Sequence, residues 1–103
     1  MESFEIRLTE RSSIADLASH AADRCQRLKI DPVETDRIVG EVRRVLSDLH
    51  EQGKQLVDMG CSFSTTRKIQ SGQCSIILTA DYATHRCELL DGCRRLVNRL
   101  LGR

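Results

Sequence analysis

Five cysteines and three histidines are the residues of this chain best suited to metal binding or nucleophilic catalysis. Zinc sites use four such ligands, usually in closely spaced pairs. The cysteines stand at positions 25, 61, 74, 87 and 93, no C-x-x-C pair occurs, and only His85 and Cys87 are close neighbours. The odd number and the isolation of the cysteines predict reduced thiols, with no bound metal or cofactor.

His20 and His50 are candidates for a phosphotransfer role. Each lies beside the apolar stripe of a predicted helix, where an imidazole ring would be half exposed. Histidine can form covalent phosphoryl intermediates, although a solvated histidine on a helix face is the more frequent case. A small phosphotransfer protein that uses one of these helix histidines therefore stays open as an alternative.

Three basic pairs raise the possibility of nucleic-acid binding: Arg43-Arg44, Arg67-Lys68 and Arg94-Arg95. Two helices followed by a hairpin resemble a winged helix, with the second pair on the wing. Against this stand 15 carboxylates and an aromatic content of 3%, which leaves little for base stacking. The alternative function is thus a nucleic-acid-binding regulator that uses Arg67, Lys68, Arg94, Arg95 and Arg99.

The composition is that of an ordinary globular chain, with 103 residues, a net charge of +1 and 40% hydrophobic residues. This length predicts one domain, residues 1–103, and the scarcity of aromatics predicts an aliphatic core. A balanced charge selects neither nucleic acid nor an anionic membrane. No apolar run approaches the ~20 residues of a membrane-spanning helix, and the start does not resemble a secretory signal. We therefore expect a cytoplasmic protein without membrane contact.

The first 28 residues predict a strand and a helix. Polar and apolar residues alternate over positions 4–9, which indicates a strand with one apolar face. A helix then begins near Ser13, which forms a pattern like a capping box with Asp16. Apolar residues recur along this helix at spacings of three and four, and they are Ile14, Leu17, Ala18, Ala21, Cys25 and Leu28.

A second helix is predicted to begin after Asp31, a suitable N-cap that is followed by Pro32 at the first helical position. Gly53 could end this helix, but the apolar residues that follow favour continuation to Met59, with Gly60 as the C-terminal stop. The predicted buried stripe consists of Ile38, Val42, Val45, Leu46 and Leu49.

The remainder of the chain predicts a β-hairpin and a final helix. Two segments rich in Thr and Ile flank residues 70–73, QSGQ, a typical turn sequence. Thr84 can cap a last helix whose C-terminal half is rich in arginine. The expected fold is a two-layer α+β domain with the order β-α-α-β-β-α, in which three helices cover a small antiparallel sheet.

This pattern resembles the GHKL ATPase domain, and specifically the small anti-sigma-factor serine kinases. Residues 28–32, LKIDP, resemble the turn between the first two helices of that family, and residues 36–42 resemble the run that leads into its E-x-x-x-N motif. Residues 76–81 resemble the strand that ends in the D-x-G-x-G adenine-binding loop, and residues 88–101 resemble the helix after the lid. The resemblance spans most of the chain as element order and apolar pattern.

The residues that would carry the chemistry of that family differ in this chain. The Glu that activates water or a hydroxyl falls on Arg44, and the Asn that binds magnesium falls on Asp48. A guanidinium cannot act as a base, because it stays charged near neutral pH. Asp81 stands where the loop begins, but residues 82–84, YAT, replace the glycines, and the lid is essentially absent. We therefore expect neither ATP binding nor catalysis.

These observations predict a small, non-catalytic regulatory or adaptor protein of bacterial type that acts by binding another protein. The expected binding surface is the exposed side of the first two helices together with the basic end of the last one. Its residues are His20, Arg24, Arg44, Asp48 and His50. A sheet with exposed edges and a long second helix also favour homodimerisation.

Overall fold

The computed structural model describes residues 2–83. Its elements are β1 (Glu2–Leu8), α1 (Ile14–Arg27), α2 (Pro32–Asp58), β2 (Phe63–Gln70) and β3 (Cys74–Tyr82). The described part is thus an α+β fold with the order β-α-α-β-β, two helices and three strands. The predicted third helix, after Thr84, lies outside the described residues.

The three strands form one mixed sheet in the order β1-β3-β2. β2 and β3 are antiparallel neighbours, whereas β1 lies parallel to β3 on its other side. The prediction of a purely antiparallel sheet was therefore wrong. The chain reverses direction at every connection, so β1 and β3, which are separated by an even number of reversals, run the same way.

The helices cover one face of the sheet, and the core lies between the two layers. Along β1 the buried positions alternate with exposed ones, as predicted, and in β3 the corresponding face is buried over its whole length. The side chains of α2 that fill this core are Ile38, Val42, Leu46, Leu49 and Val57. Val45, predicted to belong to the same stripe, is only half-buried and packs at the margin of the core.

The ends of α1 follow from local hydrogen bonding. Ser13 is the N-cap, as predicted, and its hydroxyl accepts a hydrogen bond from the backbone N–H of Asp16. At the other end the N–H of Lys29 donates to Gln26 and the N–H of Ile30 donates to Cys25. This pair of bonds is a Schellman motif, and it places Lys29 in the left-handed region at φ 58°.

The second helix is continuous from Pro32 to Asp58, so it passes through Gly53 as predicted. Asp31 occupies the N-cap, but its side chain makes no capping hydrogen bond. Gly60, with φ 79°, terminates the helix, and the N–H of Cys61 returns to the carbonyl of Leu56. Within residues 2–83, neither helix combines the length and the apolar character needed to cross a membrane.

Candidate functional site

A shallow groove of about 190 Å³ lies between α2 and β2. Val45 and Leu49 of α2 supply its apolar lining: Val45 is half-buried at the margin of the core, and Leu49 is a core residue behind it. The remaining side chains are polar or charged. The complete lining consists of Arg44, Val45, Asp48, Leu49, Gln52 and Arg67.

Arg44 and Asp48 form an ion pair on the rim of this groove. They are one helical turn apart, Nη1 of Arg44 lies 3.8 Å from Oδ2 of Asp48, and both side chains are 66% exposed. Exposed pairs of this kind stabilise a fold by only ~0–1 kcal/mol. The pair is therefore a surface feature, and both charges remain accessible from the solvent.

Arg67 brings a second guanidinium to the groove from the opposite wall. It pairs in register with Leu78 on the helix-covered face of the sheet, yet its side chain is exposed because β2 is an edge strand in residues 2–83. Within those residues no carboxylate lies within ion-pair distance of Arg67. Lys68 pairs with Ile77 and so belongs to the other face. The predicted basic pair is thus divided between the two faces of the sheet.

His50 belongs to a different contact, with Tyr82 at the end of β3. The Nδ1 atom of His50 lies 2.5 Å from the Tyr82 hydroxyl, within hydrogen-bond distance. Burial, and secondarily the negative charge of Glu10, raise the pKa of Tyr82 above its usual value. The contact ties α2 to the last described strand, and it engages one of the two nitrogens that a phosphotransfer histidine would offer.

Tyr82 also fills the space between the end of β3 and α2. Its ring occupies the position where a Cβ at residue 53 would stand, so only glycine fits there. The ring is 2% exposed and has a tilted contact with Phe63, at 6.0 Å between centroids. The sequence predicted a helix that continues through Gly53, but it indicated no role for Tyr82 in packing. Gly53 inside the helical pattern was the only local hint of this packing, and the equally interior Gly40 shows that such a glycine does not by itself imply a close approach.

His20 and Arg24 lie on α1 beside Phe4 of β1. The His20 ring stands edge-on to Phe4 at 6.4 Å between centroids, and the Arg24 guanidinium lies 5.3 Å from the centre of the same ring. A guanidinium over an aromatic face stabilises an exposed site by ~0.5–1 kcal/mol. Both residues therefore have a structural role in covering one end of the core.

Three of the cysteines, Cys25, Cys61 and Cys74, lie in the described residues, and all three are buried. Burial, and then the neighbouring thiol of Cys74, raise the pKa of Cys25. A raised pKa and burial keep a thiol unreactive. In residues 2–83, no group of three or more His, Cys, Asp or Glu side chains is arranged to hold a metal ion.

The contacts divide the five predicted surface residues into three places. Arg44 and Asp48 line the groove with Arg67, His50 bonds to Tyr82, and His20 and Arg24 share Phe4. Arg94, Arg95 and Arg99, predicted for nucleic-acid binding, lie outside the described residues.

Comparison of the chain with protein families, curated proteins and solved structures gives no match. The GHKL resemblance therefore stays a prediction.

Proposed function

We propose that this chain is a non-catalytic regulatory or adaptor protein, and that it binds another protein through the groove between α2 and β2. The observation that carries the proposal is the exposed Arg44–Asp48 pair on the groove rim. These two residues occupy the α2 positions that the GHKL resemblance aligns with a catalytic Glu and a magnesium-binding Asn. An arginine stands where the family has a glutamate, and an aspartate stands where it has a neutral asparagine, so the catalytic side chains are replaced by an exposed ion pair suited to surface recognition.

The groove itself suits a protein ligand better than a small molecule. Small-molecule sites are concave, mostly apolar cavities that enclose most of the ligand. Here the groove is about 190 Å³, and four of its six lining side chains are charged or polar. Arginine is enriched at protein interfaces, where its planar fork recognises carboxylates and backbone carbonyls.

Tyr82 supports the absence of nucleotide chemistry. In the GHKL domains that this chain resembles, the glycine-containing, adenine-binding loop begins at the position of Asp81. In this chain the Tyr82 ring packs on Gly53, and its hydroxyl bonds to His50, so the end of β3 is closed against α2. A bulky ring at that point fills space that a bound nucleotide would require.

Affinity capture from a native cell lysate, with and without nuclease, tests the proposal. We expect at least one protein to be retained by the wild-type chain after nuclease treatment. Arg44→Glu should reduce its recovery, whereas Arg11→Glu, an equal charge change at an exposed position between β1 and α1, should leave recovery unchanged. Recovery that depends on nucleic acid would instead support the nucleic-acid alternative. Equal recovery with both variants would reject the α2 surface.

A further inference from the structure

The groove between α2 and β2 presents two guanidinium groups beside an apolar floor. Arg44 projects from α2 and Arg67 from β2, while Val45 and Leu49 form the apolar part of the lining between the charged residues. Two cations from separate elements beside an apolar surface form a two-part recognition pattern. A matching ligand carries negative charge next to an apolar side chain.

The described residues 2–83 neutralise the cations of the groove only weakly. Arg37, elsewhere on α2, illustrates full neutralisation, because it bonds to both Glu34 and Glu41. Among the described residues, Arg44 has a single ion-pair contact, at 3.8 Å from Asp48, and Arg67 has none. Both guanidiniums therefore retain donors that an incoming anion can use.

We propose that the groove binds an acidic segment of a partner protein, in which carboxylates pair with Arg44 and Arg67 and an adjacent apolar side chain rests on the half-buried Val45. This inference rests on the proposed function and specifies its ligand. A carboxylate of the partner competes with Asp48 for Arg44, so Asp48 restrains binding in the free protein. The charge of Asp48 also selects against ligands that place a second anion beside it.

Nucleic acid fits this groove less well than an acidic peptide does. Phosphate backbones require a row of cations spaced along a surface. The groove instead places Asp48 among its cations, and Lys68 lies on the opposite face of the sheet from Arg67. The apolar floor would contact neither a phosphate nor a sugar productively.

The test is fluorescence anisotropy with the full chain and matched synthetic peptides. The probe is a labelled peptide of Gly and Ser that contains a central Glu-Leu-Glu, and its control has Gln-Leu-Gln. We expect the Glu peptide to bind at least tenfold more tightly, with an affinity that falls as salt is raised from about 50 to 200 mM, since salt screens exposed charges. Equal binding of the two peptides, or no binding of either at millimolar concentration, overturns the proposal.

Variants distinguish the groove from general surface charge. Arg67→Glu and Arg44→Glu should each weaken binding of the Glu peptide about tenfold or more, whereas Arg11→Glu should change it less than twofold. Asp48→Asn should tighten binding, a gain that partial unfolding cannot produce. A loss with Arg11→Glu equal to that with Arg67→Glu, or no gain with Asp48→Asn, contradicts the assignment. A labelled 12-nucleotide single strand that binds more tightly than the Glu peptide also overturns it.

The failure of this inference is separable from failure of the proposed function. If the wild-type chain retains a partner protein after nuclease treatment and Arg67→Glu retains it equally well, the proposed protein binding stands. The proposal that the ligand is an acidic segment is then wrong. If the chain retains no partner protein after nuclease treatment of the lysate but the Glu peptide still binds as expected, the groove has the proposed ligand preference and the adaptor function is wrong.

Discussion

The ring of Tyr82 lies against the backbone of Gly53, in the place where any other residue would put its Cβ. One residue terminates β3 and the other lies near the C-terminal end of α2, so the contact fixes how the sheet meets the helix. The same ring carries the hydroxyl that lies 2.5 Å from His50. A single aromatic side chain thus joins the two layers through both packing and a hydrogen bond.

Gly53→Ala should destabilise the protein, because the new methyl group would overlap the buried Tyr82 ring. Forced overpacking typically costs about 1–3 kcal/mol. The matched control is Gly40→Ala on the same helix, where an added Cβ meets nothing within 4 Å. That substitution should stabilise by up to about 1 kcal/mol, because alanine favours helix more than glycine does.

Urea unfolding of the two variants measures this contrast. A double mutant provides the second readout. In a Tyr82→Ala background, where the ring is absent, Gly53→Ala should change the free energy of unfolding little or should stabilise the protein. If Gly53→Ala and Gly40→Ala stabilise equally in the wild-type background, the close packing of Tyr82 on α2 is wrong.

Tyr82→Phe should lower stability at pH 7 by about 0.5–1.5 kcal/mol, because it removes the hydrogen bond to His50. It should also change the response to alkali. The folded state raises the pKa of Tyr82, so the unfolded chain loses this proton at lower pH. The corresponding stability is present below the usual tyrosine pKa of about 10 and is lost as pH rises through the raised value.

The wild type should therefore lose stability above pH 10 more steeply than Tyr82→Phe, and the difference between them should shrink. Cys25, whose pKa is also raised, is present in both proteins, so its contribution cancels in the comparison. The measurement is the denaturation midpoint as a function of pH. Parallel curves would show that Tyr82 ionises equally easily in both states.

Lys29→Gly should stabilise the protein by about 1 kcal/mol. Lys29 has φ 58°, a conformation that costs an ordinary L-residue ~1–2 kcal/mol and glycine almost nothing, although glycine gives up some of this gain in the unfolded chain. Gly60 holds the equivalent position after α2, with φ 79°. Gly60→Ala should accordingly destabilise by a similar amount. Thermal unfolding measures both variants, and we expect the melting temperature to rise for Lys29→Gly and to fall for Gly60→Ala. A lower melting temperature for Lys29→Gly would contradict the left-handed conformation at that position.

The sequence predicted the elements because each carries a local signal. Alternation marked β1, the Ser13 cap and the apolar stripe marked α1, and Pro32 and Gly60 marked the ends of α2. The parallel pairing of β1 with β3 was missed, because strand order depends on how the helices pack and leaves no mark on the strand itself. The contact between Tyr82 and Gly53 was missed for the same reason: residues 29 positions apart meet only after the layers assemble.

The candidate groove was only half predictable. Arg44 and Asp48 followed from the helix register and the GHKL resemblance. Arg67 was predicted together with Lys68 as part of a basic hairpin, because a sequence pair shows charge but not the strand alternation that separates the two side chains. The register of β2 against β3 decides that Arg67 faces the groove.

Leu46→Ala should destabilise the protein by about 2–5 kcal/mol, since Leu46 is fully buried in the core. Arg44→Ala, two residues earlier on the same helix, should change stability by only about 0.5 kcal/mol or less, because its side chain is 66% exposed. Urea unfolding measures both. Comparable destabilisation by the two substitutions would mean that the register of α2 is wrong, and with it the alignment of Arg44 and Asp48 with the GHKL motif.

Magnesium-ATP should not bind specifically to this chain. Arg44 provides no base and Asp48 replaces the Asn of the motif, while the Tyr82 ring closes the end of β3 against Gly53. Isothermal titration calorimetry with magnesium-ATP should show no saturable heat, and Tyr82→Ala, which opens the packed end of β3, should not create a site, because the Glu and Asn remain absent. A dissociation constant in the micromolar range, about −8 kcal/mol of binding free energy, would contradict the proposal. If Tyr82→Ala bound the nucleotide and the wild type did not, the Tyr82 ring alone would exclude ATP. Arg44 and Asp48 would then be compatible with ATP binding.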